Sequence, residues 1–378
     1  MKSAPAAQPA HQAVRRYNYP AQFGEDVQPL LEEIARLLVN GPYVLTEEVA
    51  RFETEFANYL GTEHARGVNT GTDALVIALL ASGIRRGDEV ITQANTFNAT
   101  VTAICLSGAR PVLVDADEES FLIAESQVEP AISGKTRVLM PVHLYGKPTP
   151  LTSLLAVAEK HGLQLIEDAA QAHGARIHGR RVGTLGSLGC FSFHPSKNLA
   201  AAGDAGAVVT SSPGLDERVC RLRELGQAGQ NNHVVIGLNS KMDALQALVL
   251  SWKLRTLDEC NERRRTVAGW YKERLGHLPL RFQSAAANEE HVYHLFQVRT
   301  DRRDTLLDHL RQRGVDAVVR YPAPIHLQPA FADYGWRRGQ YPVAERLADE
   351  LLCLPIRPDM SVREVEYVTD AVAGFFQG

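Results

Sequence analysis

One lysine, Lys197, sits between two apolar runs in the stretch FSFHPSKNLAAAGDAGAVVT, residues 191–210. A buried amine loses hydration, which lowers its pKa, favours the neutral form and makes it a nucleophile able to form imines. Other groups could serve the same chemistry. Asp168 closes the apolar run LQLIED at 163–168, Gln171 follows three residues later, and Phe97 follows the run EVITQ at 89–93. In VNTGTDALVIALL, Thr70, Gly71 and Thr72 stand at a predicted helix start, where free N–H groups and about half a positive charge suit a phosphate.

Each of these residues also has a plainer reading. Thr70 can be an ordinary cap, Asp168 another, Phe97 a core residue and Lys197 a solvated one. Together, an imine-forming amine, a strand-end carboxylate, an aromatic ring and a phosphate cradle match what pyridoxal 5′-phosphate requires. Competing phosphate motifs fail on spacing. Gly146-Lys147 resembles the end of a P-loop but has Pro141 where that motif needs glycine, and GTLGSLG at 183–189 lacks the dinucleotide spacing.

The elements that must position these groups follow from periodicity. Apolar residues recur at helical spacing from Val27 to Leu38 and again from Val49 to Tyr59, the second helix opened by Thr46 and closed by Gly61. The chain then alternates. Strands are predicted at 89–93, 111–115, 137–144 and 163–168, and helices at 72–82, 99–106, near 126–132 and at 151–161. CFSFH and AGAVVT read as further strands. Continuous apolar strands separated by helices predict an α/β architecture with a largely parallel sheet covered on both faces. Ligands bind such sheets at the carboxyl ends of the strands, where Asn95, Thr96, Phe97, His143, Tyr145, Asp168 and Gln171 gather. A long helical stretch at 241–275 leads to a strand, a helix and closing helices. The expected organisation is a mobile lead-in at 1–17, a large domain at 18–255 and a smaller α+β domain at 256–378.

With 378 residues, 45% hydrophobic and 22% charged, and a net charge of −4, the chain has no broad basic field, which argues against nucleic acid. Glu262-Arg263-Arg264-Arg265 reads as a solvated helix face. Five cysteines without C-x-x-C spacing indicate neither a disulfide framework nor a zinc site and fit a reducing cytoplasm. The N-terminus lacks a signal-peptide core, and no uncharged apolar run reaches the roughly 18 residues of a membrane span.

The stretches GPYVLTEEVARFETEFANYLG, NTGTDAL, GDEVITQANTF, PVHLYGKP, LIEDAAQAHGA, GCFSFHPSKNLAAAGDAGAVVT, GLNSKMDALQA and RYPAPIHLQPA resemble the pyridoxal-phosphate-dependent nucleotide-sugar aminotransferases of the DegT/DnrJ/EryC1/StrS group, from about residue 20 to the end. The resemblance implies the aspartate aminotransferase fold, a mostly parallel mixed sheet with a smaller C-terminal α+β domain. It also implies roles. Lys197 would form the imine with the cofactor and shuttle the proton, Asp168 would face the pyridine nitrogen, Gln171 the ring hydroxyl, and Phe97 the ring face. Gly71, Thr72 and Ser192 would hold the phosphate, and Asn239 would reach the phosphate of a neighbouring subunit in a homodimer with shared active sites. Tyr321 and His326 match a segment near the sugar or nucleotide. His194 stands where the group commonly has tyrosine, which leaves its substrate contact open.

The implied reaction moves an amino group from L-glutamate to a keto sugar nucleotide. The run of the sequence looks most similar to members aminating C3 of dTDP-linked 3-keto-6-deoxyhexoses in antibiotic or polysaccharide pathways; C4 amination of a UDP- or GDP-linked sugar is the alternative. Relatives that remove a sugar hydroxyl carry histidine in place of the lysine, so Lys197 argues against that chemistry. The intact trio Asp168, Gln171 and Lys197 argues against a catalytically idle regulatory module.

Overall fold

In the computed structural model, which describes residues 13–24 and 26–377, the chain begins with two helices, α1 (Gln28–Asn40) and α2 (Glu47–Leu60). Thr46 precedes α2, and Gly61 ends it at φ +78°, a left-handed conformation that glycine reaches without the Cβ penalty. There follow β1 (His64–Val68), α3 (Gly71–Ala81), β2 (Glu89–Gln93), α4 (Asn98–Leu106), β3 (Arg110–Val114), β4 (Thr136–Leu139), α5 (Thr152–His161), β5 (Gln164–Asp168), β6 (Leu188–Ser192), β7 (Gly206–Thr210), α6 (Pro213–Arg223) and α7 (Ala244–Leu254).

The seven strands form one sheet in the order β1-β7-β6-β5-β4-β2-β3. β7 runs antiparallel to both its neighbours, and the other six strands share one direction. Apolar clusters cover both faces: Phe52, Phe56, Phe191 and Phe193 lie in one, and Ala74, Leu75, Ile77, Ile166 and Val208 in the other. This is the α/β architecture that the continuous apolar strands predict.

β1 is the strand that periodicity does not reveal, because HARGV carries Arg66 in its middle. Tertiary partners hold that charge: Arg66 donates to Asp216 on α6 at 2.7 Å and to Glu53 on α2 at 3.2 Å. The strand expected at 137–144 stops at Leu139, since Pro141 has no N–H to donate and Tyr145 turns to φ +64°. In place of a helix near 126–132 the chain makes two short 3₁₀ turns, Glu125–Gln127 and Glu129–Ala131, with Pro130 at the start of the second.

The stretch 241–275 divides at Arg255-Thr256 into α7 and α8 (Leu257–Leu275). The latter half of α8 packs into a second core with β8 (Arg281–Phe282), β9 (Phe296–Arg299), α9 (Arg303–Gln312), β10 (Leu351–Leu354) and α11 (Val362–Gln377), while α10 (Pro342–Glu350) runs straight into β10. β8, β9 and β10 form an antiparallel three-stranded sheet. Of the expected lead-in, residues 1–12 lie outside the described residues, and 13–17 are docked on this smaller unit. Val14 is 1% exposed and its N–H donates to Gly314 O at 3.0 Å, while Arg16 pairs with Asp316.

Candidate active site

The carboxyl ends of β1, β2, β5 and β6 converge on one rim. Asp168, the last residue of β5, is 4% exposed. Thr100 Oγ1, from α4, donates to its Oδ2 at 2.8 Å, and the Ala170 N–H to its Oδ1 at 3.2 Å. Burial raises the carboxyl pKa; the Thr100 and Ala170 hydrogen bonds and the neighbouring Lys197 oppose this without overcoming it. A cationic ring beside Asp168 would return it to the ionised form.

Lys197 lies in the turn between β6 and β7, where its N–H donates to His194 O at 2.8 Å. Burial lowers its ammonium pKa to about 8; Asp168 works against the shift and Arg320 adds to it. The neutral amine is therefore populated near neutral pH, unlike that of a solvated lysine.

Gln171 is clamped. The Tyr145 N–H donates to its Oε1 at 2.7 Å, and its Nε2 donates to the Tyr321 hydroxyl at 2.8 Å. Tyr321, itself at φ +58°, lies 5.6 Å from the Phe97 ring and 6.1 Å from that of Tyr145, centroid to centroid. Phe97 is 49% exposed, so a planar ring could cover its open face.

At the head of α3 the Thr70 hydroxyl accepts from the Asp73 N–H at 3.0 Å, while the N–H groups of Gly71 and Thr72, in the first turn, have no helical carbonyl to meet. Gly71 touches Ser192: a Cβ there would lie 2.4 Å from Ser192 Cβ and 2.9 Å from its Oγ. A Cβ on Gly206 would likewise fall 2.4 Å from Thr70 O. The start of α3 is thus pressed against both strands that bracket Lys197, and Ser192 joins the cradle. A phosphate-bearing pyridine aldehyde fits these residues, with Gly71, Thr72 and Ser192 for its phosphate, Asp168 for its ring nitrogen, Gln171 for its hydroxyl, Phe97 for its face and Lys197 for its aldehyde.

Asn239 is exposed and accepts from its neighbour Lys241 at 2.5 Å; the adjoining Ser240 ties the loop to α3 by accepting from the Asn69 N–H and donating to Asp73. His194 is exposed, with Nδ1 2.9 Å from Ser196 Oγ. His326 is buried, 2.8 Å from Glu345 and in contact with Tyr341. His143 points away from the rim to Glu167, at 2.9 Å, and accepts from the Thr149 N–H; Asn95 donates to Phe121 O.

Sequence reading passed over Thr100, Tyr145 as a backbone donor, and Arg320. Thr100 had a faint signal, one helical turn after Thr96, whose hydroxyl it meets at 2.8 Å. Arg320 had none; its guanidinium donates to Tyr17, some 300 residues earlier. No cluster of three or more His, Cys, Asp or Glu suited to a metal, and no helix long and apolar enough to cross a membrane, occurs among the described residues.

The sequence pattern of the DegT/DnrJ/EryC1/StrS aminotransferase family matches residues 25–373. The chain belongs to that family. Among its relatives, a dTDP-3-amino-3,4,6-trideoxy-α-D-glucose transaminase of Streptomyces venezuelae is 46% identical over 90% of each chain. A UDP-N-acetyl-3-dehydro-α-D-glucosamine 3-aminotransferase of Acidithiobacillus ferrooxidans is 39% identical over 95% of this chain and 96% of its own. The crystal structure of S. venezuelae DesV in complex with a ketimine intermediate superposes with a TM-score of 0.94 at 43% identity, covering 97% of this chain and 99% of that one. In this aminotransferase family pyridoxal phosphate is the cofactor.

Proposed function

We propose that this enzyme transfers the amino group of L-glutamate to C3 of a dTDP-linked 3-keto-6-deoxyhexose in amino-sugar biosynthesis, releasing 2-oxoglutarate and the 3-amino sugar nucleotide. One observation carries the reading: a lysine with its pKa lowered to about 8 lies near a buried carboxylate in a chain 46% identical to a dTDP-3-amino-sugar transaminase. Pyridoxal phosphate, when bound, holds the amino group between the two half-reactions and draws off the electrons left when a substrate carbon loses its proton.

The chain's own residues do the rest. The Lys197 amine takes the proton from the donor's α-carbon and in the second half-reaction returns one to the sugar carbon. Asp168, fixed by Thr100 and Ala170, keeps a proton on the pyridine nitrogen. Gln171, clamped by Tyr145 and Tyr321, would meet the ring hydroxyl with its amide.

A homodimer accompanies this reading, with Asn239 completing the phosphate site of the other subunit. Support comes from an apolar patch beside that loop. Val234, Val235 and Ile236, the last 96% exposed, precede Asn239, and exposed Val44 and Leu45 adjoin through the Val44–Asp243 bridge. All five cysteines are free thiols, in keeping with a cytoplasmic enzyme.

The deciding experiment incubates the enzyme with L-glutamate and a panel of dTDP-, UDP- and GDP-linked keto sugars and identifies products by mass and NMR. The expected product is a dTDP-3-amino sugar, and Lys197→Ala should form it roughly 10² to 10⁴ times more slowly while still binding cofactor. A 4-amino product would overturn the regiochemistry. Full turnover in Lys197→Ala would remove the lysine from the mechanism.

A further inference from the structure

Asn198 follows Lys197 in the turn between β6 and β7 and ties that turn to two other segments of the site. Its Nδ2 donates to Asn261 Oδ1, on α8, and to Val292 O, each at 2.9 Å. Asn261 in turn donates through Nδ2 to His173 O at 2.8 Å. The ends of this chain of bonds fix both amide orientations, since the His173 and Val292 carbonyls can only accept. Asn261 must turn its Nδ2 to His173, which leaves its Oδ1 for Asn198.

Both routes end on Gln171. His173 stands two residues after Gln171, in the loop that leaves Asp168 at the end of β5. Its carbonyl reaches α8 because the next residue is glycine: Gly174 lies at φ +82°, and a Cβ there would fall 2.8 Å from Asn261 Nδ2 and 2.3 Å from the Tyr59 hydroxyl. On the other route, the Val292 N–H donates to Gly146 O at 3.0 Å and the Leu295 N–H to Tyr145 O at 3.2 Å. Tyr145 is the residue whose own N–H clamps Gln171, and a Cβ on Gly146 would lie 3.0 Å from Gln171 O.

The turn has few other ties. The Lys197 N–H donates to His194 O and the Ala201 N–H to Phe193 O, both within the hairpin. Among the described residues, Asn198 is the one member of 194–199 whose hydrogen bonds leave that hairpin. On another face Ser196, Lys197 and Asn198 border a cavity of about 650 Å³, walled also by residues 16–24, the α7–α8 junction and residues 357–359, so close packing does not back the turn there. Asn261, Val292 and His173 are by contrast fully buried, which anchors the far end of the chain of bonds in the core.

We propose that Asn198 is a positioning residue for the transfer reaction: with Asn261 it sets where the Lys197 amine stands relative to Gln171 and Asp168. The proposal rests on the pyridoxal-phosphate reading of the site. Asn198 acts through Lys197, so its loss displaces the amine and leaves the groups that would bind the substrates in place.

The test replaces Asn198 with leucine, which keeps the size of the side chain and removes both donors. A misplacement of about 1 Å in a reacting group costs on the order of 10²-fold, so the limiting rate of the half-reaction with L-glutamate, followed by cofactor absorbance, should fall roughly 10- to 100-fold in Asn198→Leu, with half-saturating glutamate within about threefold of wild type. Asn261→Leu cuts one route of the two and should slow the step less; the double variant should fall well short of the product of the single effects, because the two amides act as one chain. Asn198 is only half-buried, and Asn198→Ala is a second, smaller replacement that serves if leucine crowds the turn. Leu310→Ala, in the core of the smaller unit, is the control for lost stability: it should melt lower and react at close to the wild-type rate. Limiting rates within about threefold of wild type in both Asn198 variants overturn the proposal, as do rate losses that multiply in the double variant. Equal slowing in Leu310→Ala also overturns it, reducing Asn198 to a contributor to stability. Capture of pyridoxal phosphate by apoprotein separates this role from the choice of donor. If the wild-type enzyme is inert to glutamate but Asn198→Leu captures cofactor roughly tenfold or more slowly, the positioning role stands and the donor falls; unchanged capture sinks the positioning role.

Discussion

Gly71→Ala tests the phosphate cradle most directly. An alanine Cβ would sit 2.4 Å from Ser192 Cβ and 3.0 Å from Ser192 Cα, about 1 Å short of ordinary contact with the nearer atom. The helix start cannot simply retreat, because Gly206 already holds Thr70 and Gly71 so closely that its own Cβ would lie 2.4 Å from Thr70 O and 2.8 Å from Gly71 N. The strain falls on the α3–β6 contact. Overpacking of this kind costs about 1–3 kcal/mol, and separating the Gly71 and Thr72 N–H groups from Ser192 by about 1 Å is enough to lose roughly 10²-fold where several groups must converge on one phosphate. We expect the apoprotein variant to bind pyridoxal phosphate 10- to 100-fold more weakly in an absorbance titration and to melt several degrees lower. Gly269→Ala, in α8 with open space around it, is the control and should if anything stabilise by about 0.5–1 kcal/mol. Wild-type cofactor affinity in Gly71→Ala would show that this contact does not shape the phosphate site.

Other expectations follow from the same groups. Because Lys197 titrates near 8, its free amine is lost as pH falls through that value; capture of cofactor by apoprotein, followed by stopped flow, should slow about tenfold per unit below pH 7, and a flat profile from 6 to 8 would exclude this amine as the titrating group. Asp168→Asn keeps the shape but not the charge, so kcat should fall about 10²-fold or more; near-normal turnover would show that the ring nitrogen needs no carboxylate. His173 is fully buried against Phe191 and Phe193, and burial lowers its pKa to about 3. Between about 6.5 and 3 the unfolded chain binds a proton that the folded chain refuses, so stability is lost as pH falls through that window. His173→Phe should flatten this dependence in urea midpoints measured at pH 7 and 4.5, and equal slopes in both proteins would refute the assignment.

The large unit was legible because a buried parallel sheet leaves unbroken apolar runs: β2, β5 and β7 lie within the runs that predicted them, while β3 begins one residue and β6 two residues ahead of theirs. β1 escaped since its one charge is paid for by Glu53 and Asp216, residues that only the folded chain brings near Arg66. Lys197, Asp168 and Gln171 announced themselves by standing at the ends of apolar segments. The groups that aim them did not: Thr100 looks like any helix threonine, Tyr145 contributes a backbone N–H that has no sequence signature, and Tyr321 reaches Gln171 across 150 residues. His143 misleads for a related reason, because a residue just past a strand can fold back into the layer beneath, as it does onto Glu167. Val14 could not be foreseen as a docked residue, since one apolar side chain in a polar lead-in has no periodicity to betray it.

The antiparallel strand β7 returns beside β6, with Ser192 opposite Gly206, so Lys197 and Ser192 hang from the same hairpin. These two residues thus share one piece of the sheet, whereas the walls of the neighbouring cavity are drawn from the N-terminal segment, a helix junction and residues 357–359. A shift in the pairing of β6 with β7 would therefore displace Lys197 and Ser192 together.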